Sequence, residues 1–140
     1  MLGNVSWISS VKNHEGSFYF RKVFEIKEEP KEARLYICAL GLGVCSINGM
    51  NITNDVYSTP FTKYDARVLY QSYDVTKFVQ KGKNAICVHV GNGMYNNTMK
   101  TWNDMAQSWR SQPKLAAKLI VTFSDGTSFV CETDKTWKSV

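Results

Sequence analysis

Residues 33–50 read ARLYICALGLGVCSINGM. In an extended chain Leu35, Ile37 and Ala39 fall on one side, and Tyr36, Cys38 and Leu40 on the other. Alternation with period two predicts a strand, and apolar residues on both sides predict that both of its faces are partly covered. A second run, residues 44–47, ends at Asn48-Gly49, the pair that most favours a two-residue hairpin turn.

The same grammar extends in both directions. Residues 17–27, SFYFRKVFEIK, place Phe18, Phe20, Phe24 and Ile26 on one face, with Lys22 as the exception. Residues 5–8 form a short first run, and residues 67–73, RVLYQSY, alternate again. Residues 74–79 read as a helical turn, with Asp74 as its N-cap and Gly82 as its stop. Residues 84–91 predict a strand with Ile86, Val88 and Val90 inward. Residues 114–123 and 127–132 are two strands joined by Asp125-Gly126, and residues 136–138 open one more. About eight short strands with almost no helical period predict one all-β domain over residues 1–140. Its expected form is an antiparallel β-sandwich or jelly roll with one short helical turn.

Composition sets the outer limits. The chain has 140 residues, enough for a sizeable core, and 44% of them are hydrophobic. Disordered chains are poorer in apolar residues. No run approaches the roughly 18 apolar residues of a membrane span, and residues 1–10 carry no signal-peptide pattern. The net charge of +5 is spread along the chain rather than gathered into one patch, so neither nucleic acid nor membrane is an expected partner. Cys38, Cys45, Cys87 and Cys131 form no C-x-x-C pair and sit in strand-like runs, where small buried hydrophobes are expected over a disulfide framework. His14 and His89 stand alone, and His89 is read as a structural or exposed residue. Asn4, Asn51 and Asn96 open glycosylation-type triplets that carry little information.

Two long irregular stretches, 51–66 and 91–113, are where a site is expected. The second holds Asn92, Tyr95, Asn96, Trp102 and Trp109. Aromatic rings against sugar C–H faces and Asn forks against hydroxyls are the means of carbohydrate recognition. The competing reading is that the tryptophans pin a long loop to the sandwich. The first stretch, TPFTKYDAR, adds Tyr64, Asp65 and Arg67, and an exposed Asp65–Arg67 ion pair is favoured over a ligand role. A glycosidase needs two carboxylates across a cleft, about 5 to 9.5 Å apart, and no such pair is visible. No catalytic residue and no metal site is assigned.

Three ordered strings add a family likeness: ARLYICALGLGVCSINGMNI (33–52), STPFTKYDARVLYQSYDVTKFVQKGKNAICVHVGNGMYNN (58–97) and PKLAAKLIVTFSDGTSFVCETDKTWK (113–138). Their order resembles the N-terminal β-sandwich domain of bacterial α-L-rhamnosidases. The shared elements are the Asn-Gly turn, the proline–threonine–tyrosine loop, the Asp-Val-Thr turn, the Gly-x-Asn strand, the Gly-x-Gly-x-Tyr loop and the Asp-Gly hairpin. The resemblance implies a galactose-binding-domain-like jelly roll, here an N-terminal fragment of a larger multidomain glycosidase that removes terminal L-rhamnose. It places catalysis in a separate α/α barrel.

The expected role of this chain is therefore that of a non-catalytic accessory domain. Its expected partners are a rhamnose-containing glycan and the other domains of the same enzyme. The resemblance also implies a secreted or periplasmic setting, a role in polysaccharide degradation and, in some relatives, calcium, for which no ligand can be matched here. Asn92 to Tyr95, Tyr64-Asp65 and Arg67 match motif positions, while Met94 stands where the family has Trp. Two alternatives remain: a purely structural domain with an apolar exposed sheet face, and the sugar-binding domain of a β-galactosidase-type hydrolase.

Overall fold

The computed structural model describes residues 2–10, 16–55, 58–97 and 109–140. In chain order the strands are β1 (Phe18–Ile26), β2 (Glu32–Leu40), β3 (Leu42–Ile47), β4 (Met50–Asn51), β5 (Gln71–Asp74), β6 (Gly82–Gly91), β7 (Lys114–Thr122), β8 (Ser128–Glu132) and β9 (Lys138–Ser139). A 3-10 turn, Thr76–Phe78, lies between β5 and β6. The strands form two antiparallel sheets, one ordered β4-β3-β6-β1-β9 and the other β5-β2-β7-β8. The all-β sandwich expected from the alternation is the fold observed.

The core lies between the two inner faces. Phe18, Phe20, Phe24 and Ile26 of β1 and Ile86, Val88 and Val90 of β6 line one wall. Ala33, Leu35, Ile37 and Ala39 of β2 and Leu115, Ala117, Leu119 and Val121 of β7 line the other. Lys22, the inward exception, lies 3.7 Å from the Asp134 carboxylate and also donates to the Thr136 hydroxyl, so its charge is answered at the rim of the sandwich. Cys38, Cys45 and Cys131 are buried among apolar neighbours. Burial pushes the Cys38 and Cys131 thiols up to about 11, and burial beside Cys87 pushes Cys45 up to about 12.

Turn chemistry fixes the registers. Asn48 and Gly49 both have positive φ, 52° and 82°, the primed turn geometry that suits a hairpin. Asn48 also reaches beyond its own turn. Its side chain accepts from Ala85 N–H at 2.9 Å and donates to Phe78 O and Asn84 Oδ1, both at 2.9 Å. Asn84 in turn donates to Gln80 O and Gly82 O and accepts from Gln80 N–H. The Asn-Gly turn and the Gly-x-Asn strand thus hold each other.

Asp74 is not a helix N-cap. The residue before the 3-10 turn is Val75, with no side-chain cap bond. Instead Asp74 Oδ1 accepts from Thr76 N–H at 3.0 Å and Thr76 O–H at 2.7 Å. The Thr76 oxygen then accepts from Ala33 N–H at 2.9 Å, which fastens this turn to the start of β2. Asp125 with Thr127 and Asp134 with Thr136 repeat the Asp-x-Thr arrangement.

The run 67–73 is shorter as a strand than its alternation suggests. Pairing with β2 begins only at Gln71, opposite Ile37. Upstream, Val68, Leu69 and Tyr70 are exposed, and Leu69 O takes the Cys38 thiol at 3.2 Å in place of a ladder partner. Residues 5–8 contribute a single bridge, Ile8 to Leu115, rather than a strand.

Candidate functional site

The loops expected to carry a site converge on the outer face of the four-stranded sheet. There Cys38 and Leu40, the outward residues of β2, form a second apolar cluster with Tyr95, and Leu2, Tyr64 and Trp109 pack against it. Tyr64 meets Tyr95 edge-on, with ring centroids 5.1 Å apart, and lies 6.0 Å from the Trp109 ring. Phe61 approaches Tyr64 edge-on at 5.8 Å. Tyr95 is only 4% exposed, and its hydroxyl shares a 2.8 Å hydrogen bond with the Ser111 hydroxyl. Burial, with Cys38 and Tyr95 close by, pushes the Tyr64 phenol above its ordinary value.

Residues 64, 95 and 109, far apart in sequence, are therefore brought together as packing. Asn92 and Asn96 turn inward on their own loop. Asn96 donates from its backbone N–H to Asn92 O at 3.1 Å and from its side-chain amide to Asn92 Oδ1 at 3.0 Å. Gly93, at φ +50°, lies so close to β3 that an added Cβ would sit 3.0 Å from Leu42 Cγ. Met94, at the position where the family string has Trp, is exposed.

Asp65 and Arg67 are both exposed. Among the described residues no ion pair joins them, contrary to the expectation from their spacing. Ala66 N–H and Arg67 N–H both donate to Lys63 O at 2.9 Å, and side chains two apart on so tight a turn diverge. Trp102 and His14 lie outside the described residues.

The chain's carboxylates have a pattern of their own. Among the described residues none is buried. The resolved carboxyl shifts, at Asp74, Asp125 and Asp134, are all downward, caused first by the side-chain bond from the following threonine and then by its backbone N–H. A glycosidase's proton donor needs the opposite, a carboxyl raised by burial. Among the described residues no group of three or more His, Cys, Asp and Glu is placed to hold a metal ion.

A second surface was only partly legible in the sequence. The outer face of the five-stranded sheet carries the cross-strand row Val44, His89 and Tyr19, from β3, β6 and β1. The next rows on that face are Ser46, Cys87 and Arg21, then Ala85 and Val23. Tyr19 is 53% exposed and Val23 49%, and Tyr19 stacks flat on the His89 imidazole, with centroids 4.1 Å apart and planes 4° from parallel. His89 is thus half-buried under a ring. Tyr19, Val23 and Val44 are visible in the sequence as the outward members of alternating strands, but which strands adjoin is set by the sheet order.

The family model described as alpha-L-rhamnosidase N-terminal domain matches residues 28–140. An alpha-L-rhamnosidase of Formosa agariphila is 36% identical over 121 residues, which are 86% of this chain and 13% of that protein. The crystal structure of a native rhamnosidase from Aspergillus terreus superposes with a TM-score of 0.87 at 30% identity, covering 99% of this chain and 17% of its own. The alpha-L-rhamnosidase of Streptomyces avermitilis, solved with L-rhamnose, gives 0.82 at 32% identity, over 89% of this chain and 12% of its own. The chain therefore spans only about one-eighth to one-sixth of these relatives' lengths. The alternative of a β-galactosidase-type sugar-binding domain gives way to this match. Two packed antiparallel sheets, the interlocked Asn-Gly and Gly-x-Asn motifs and a family match over most of the chain lead to one statement: this chain belongs to the family of α-L-rhamnosidase N-terminal domains.

Proposed function

We propose that the chain is a non-catalytic accessory domain of an α-L-rhamnosidase and that it docks on the enzyme's catalytic unit through the outer face of its five-stranded sheet. One observation carries the reading: Val44, His89 and Tyr19 form a semi-apolar row across three paired strands, Val23 follows on the far side of Arg21, and all are partly open to water. Contiguous apolar surface on a small domain marks an interaction site more often than isolated exposed residues do. The lowered, exposed carboxylates support the non-catalytic part, because none has an environment that would make it a proton donor near neutral pH. Length supports this choice of partner, since the matched relatives are several times longer than this chain.

The test compares the 140-residue chain with the full-length enzyme. The full-length enzyme should cleave an aryl rhamnoside and the chain alone should not. Val44→Lys together with Val23→Lys should leave the melting temperature of the isolated chain within a degree or two, because both side chains already meet water there. In the full-length enzyme the same pair should lower thermal stability and shorten the activity half-life. Full tolerance of both changes in the full-length enzyme would refute the docking surface.

A further inference from the structure

Trp7 is an exposed tryptophan on a backbone that cannot move freely. The carbonyl of Ser6 accepts from the Thr133 hydroxyl at 2.6 Å. Ile8 exchanges two backbone hydrogen bonds with Leu115, each 2.9 Å, and the Ser9 hydroxyl donates to Pro113 O at 2.9 Å. Ser6, Ile8 and Ser9 are thus tied to the sandwich by long-range bonds, yet Trp7 among them remains 43% exposed. Holding the backbone beneath a ring so open to water gains the fold less than burying that ring would. It does remove most of the ordering cost of binding something against that ring.

The ring borders an open groove of about 690 Å³ between the N-terminal segment and the β8–β9 connection, within the usual pocket range of about 300 to 1,000 Å³. Trp137 gives the groove apolar surface and is set by its indole N–H donating to Glu132 O at 2.9 Å, with the buried Phe20 beneath. Ser6, Asp134 and Lys135 give it a polar edge. The two charges on that edge are opposite, and Asp134 is already balanced by Lys22. Trp7 also borders two adjoining depressions of about 340 and 350 Å³, so the surface continues past the groove.

Two indoles and the serine hydroxyls suit a ligand with apolar C–H faces and many hydroxyls. We propose that this groove binds a saccharide, with Trp7 as the stacking platform. The site is separate from the 91–97 loop and from the sheet face assigned to docking, and it stands or falls independently of that docking.

The test is an NMR titration of the 140-residue chain with L-rhamnose, with a rhamnose-bearing oligosaccharide and, separately, with inorganic phosphate. With either sugar the indole N–H signals of Trp7 and Trp137 should move together and saturate in the millimolar range, and phosphate should leave them in place. Trp7→Ala should weaken binding about tenfold or more without disturbing the other amide signals, since the ring is exposed, and Trp7→Phe should recover part of it. Sugar titrations that leave the Trp7 signal fixed would overturn the proposal. So would shifts confined to Tyr64, Asn92 and Asn96, or an equal response to phosphate.

Discussion

Asn84 is 2% exposed, and its side-chain amide is fully used: Nδ2 donates to Gln80 O and Gly82 O, and Oδ1 accepts from Gln80 N–H and the Asn48 amide. Buried polar groups left without partners cost about 1–3 kcal/mol each. Asn84→Ala strands several backbone groups at once, and a loss on the order of 3 kcal/mol in urea unfolding is expected. Asn48→Gly keeps the turn conformation but loses the bonds to Ala85 and Phe78, and it should cost about 1–2 kcal/mol. The three Asp-x-Thr turns add an acid dependence. Hydrogen bonds from threonine hold Asp74, Asp125 and Asp134 below their usual value, so their folded-state pKa lies under the unfolded one. Their stabilisation is complete above the unfolded value of about 3.9 and is lost as pH falls below it. Melting temperatures measured from pH 6 down to pH 2 should fall below about pH 4, and less steeply in Thr127→Val, whose Asp125 has lost the hydroxyl bond.

At the scale of elements, the β2–β3 corner is the tightest junction. Gly41 has φ +129°, and a Cβ there would sit 2.1 Å from Gly91 O. Gly41→Ala should cost more than about 2 kcal/mol, because backbone, not a flexible side chain, stands in the way. Gly82→Ala, at φ +93° with open space around it, should cost only about 1 kcal/mol. Equal losses in chemical denaturation would contradict this picture of the corner.

The elements themselves were largely legible: 17–27 gave β1 with Lys22 inward, 84–91 gave β6, and the Asn-Gly and Asp-Gly pairs marked their hairpins. Residues 67–70 misled because their alternation is real but their partner is not. Val68, Leu69 and Tyr70 alternate in open water, and the strand begins only where β2 supplies a ladder at Gln71. The aromatic loop left two readings open. Composition identifies Tyr95 and Trp109 as large rings in a loop, but whether a ring faces solvent or a second apolar cluster depends on Cys38 and Leu40 lying outward on β2. Trp7 gave no sequence signal, because its value lies in hydrogen bonds to Thr133, Leu115 and Pro113, more than 100 residues away.

At the scale of the whole molecule, the two sheets have unlike outer faces. Loops cover the four-stranded sheet around Cys38 and Leu40 through Tyr64, Tyr95 and Trp109, leaving Val130 exposed, while the face of the five-stranded sheet is left with Tyr19, Val23 and Val44 exposed. In the proposed docking that second face is buried by the rest of a rhamnosidase, and Cys87 reports on it directly. Cys87 lies on the face between Arg21 and Ser46 and is half-buried, whereas Cys38, Cys45 and Cys131 are buried. Their thiols are also held up at about 11, 12 and 11, which keeps them protonated at neutral pH. Timed alkylation followed by mass spectrometry should therefore label Cys87 first in the isolated chain. In the full-length enzyme the same residue should be protected, with its labelling slowed at least tenfold. Equal labelling rates at Cys87 in the two proteins would contradict the claim that this face is where the domain meets its enzyme.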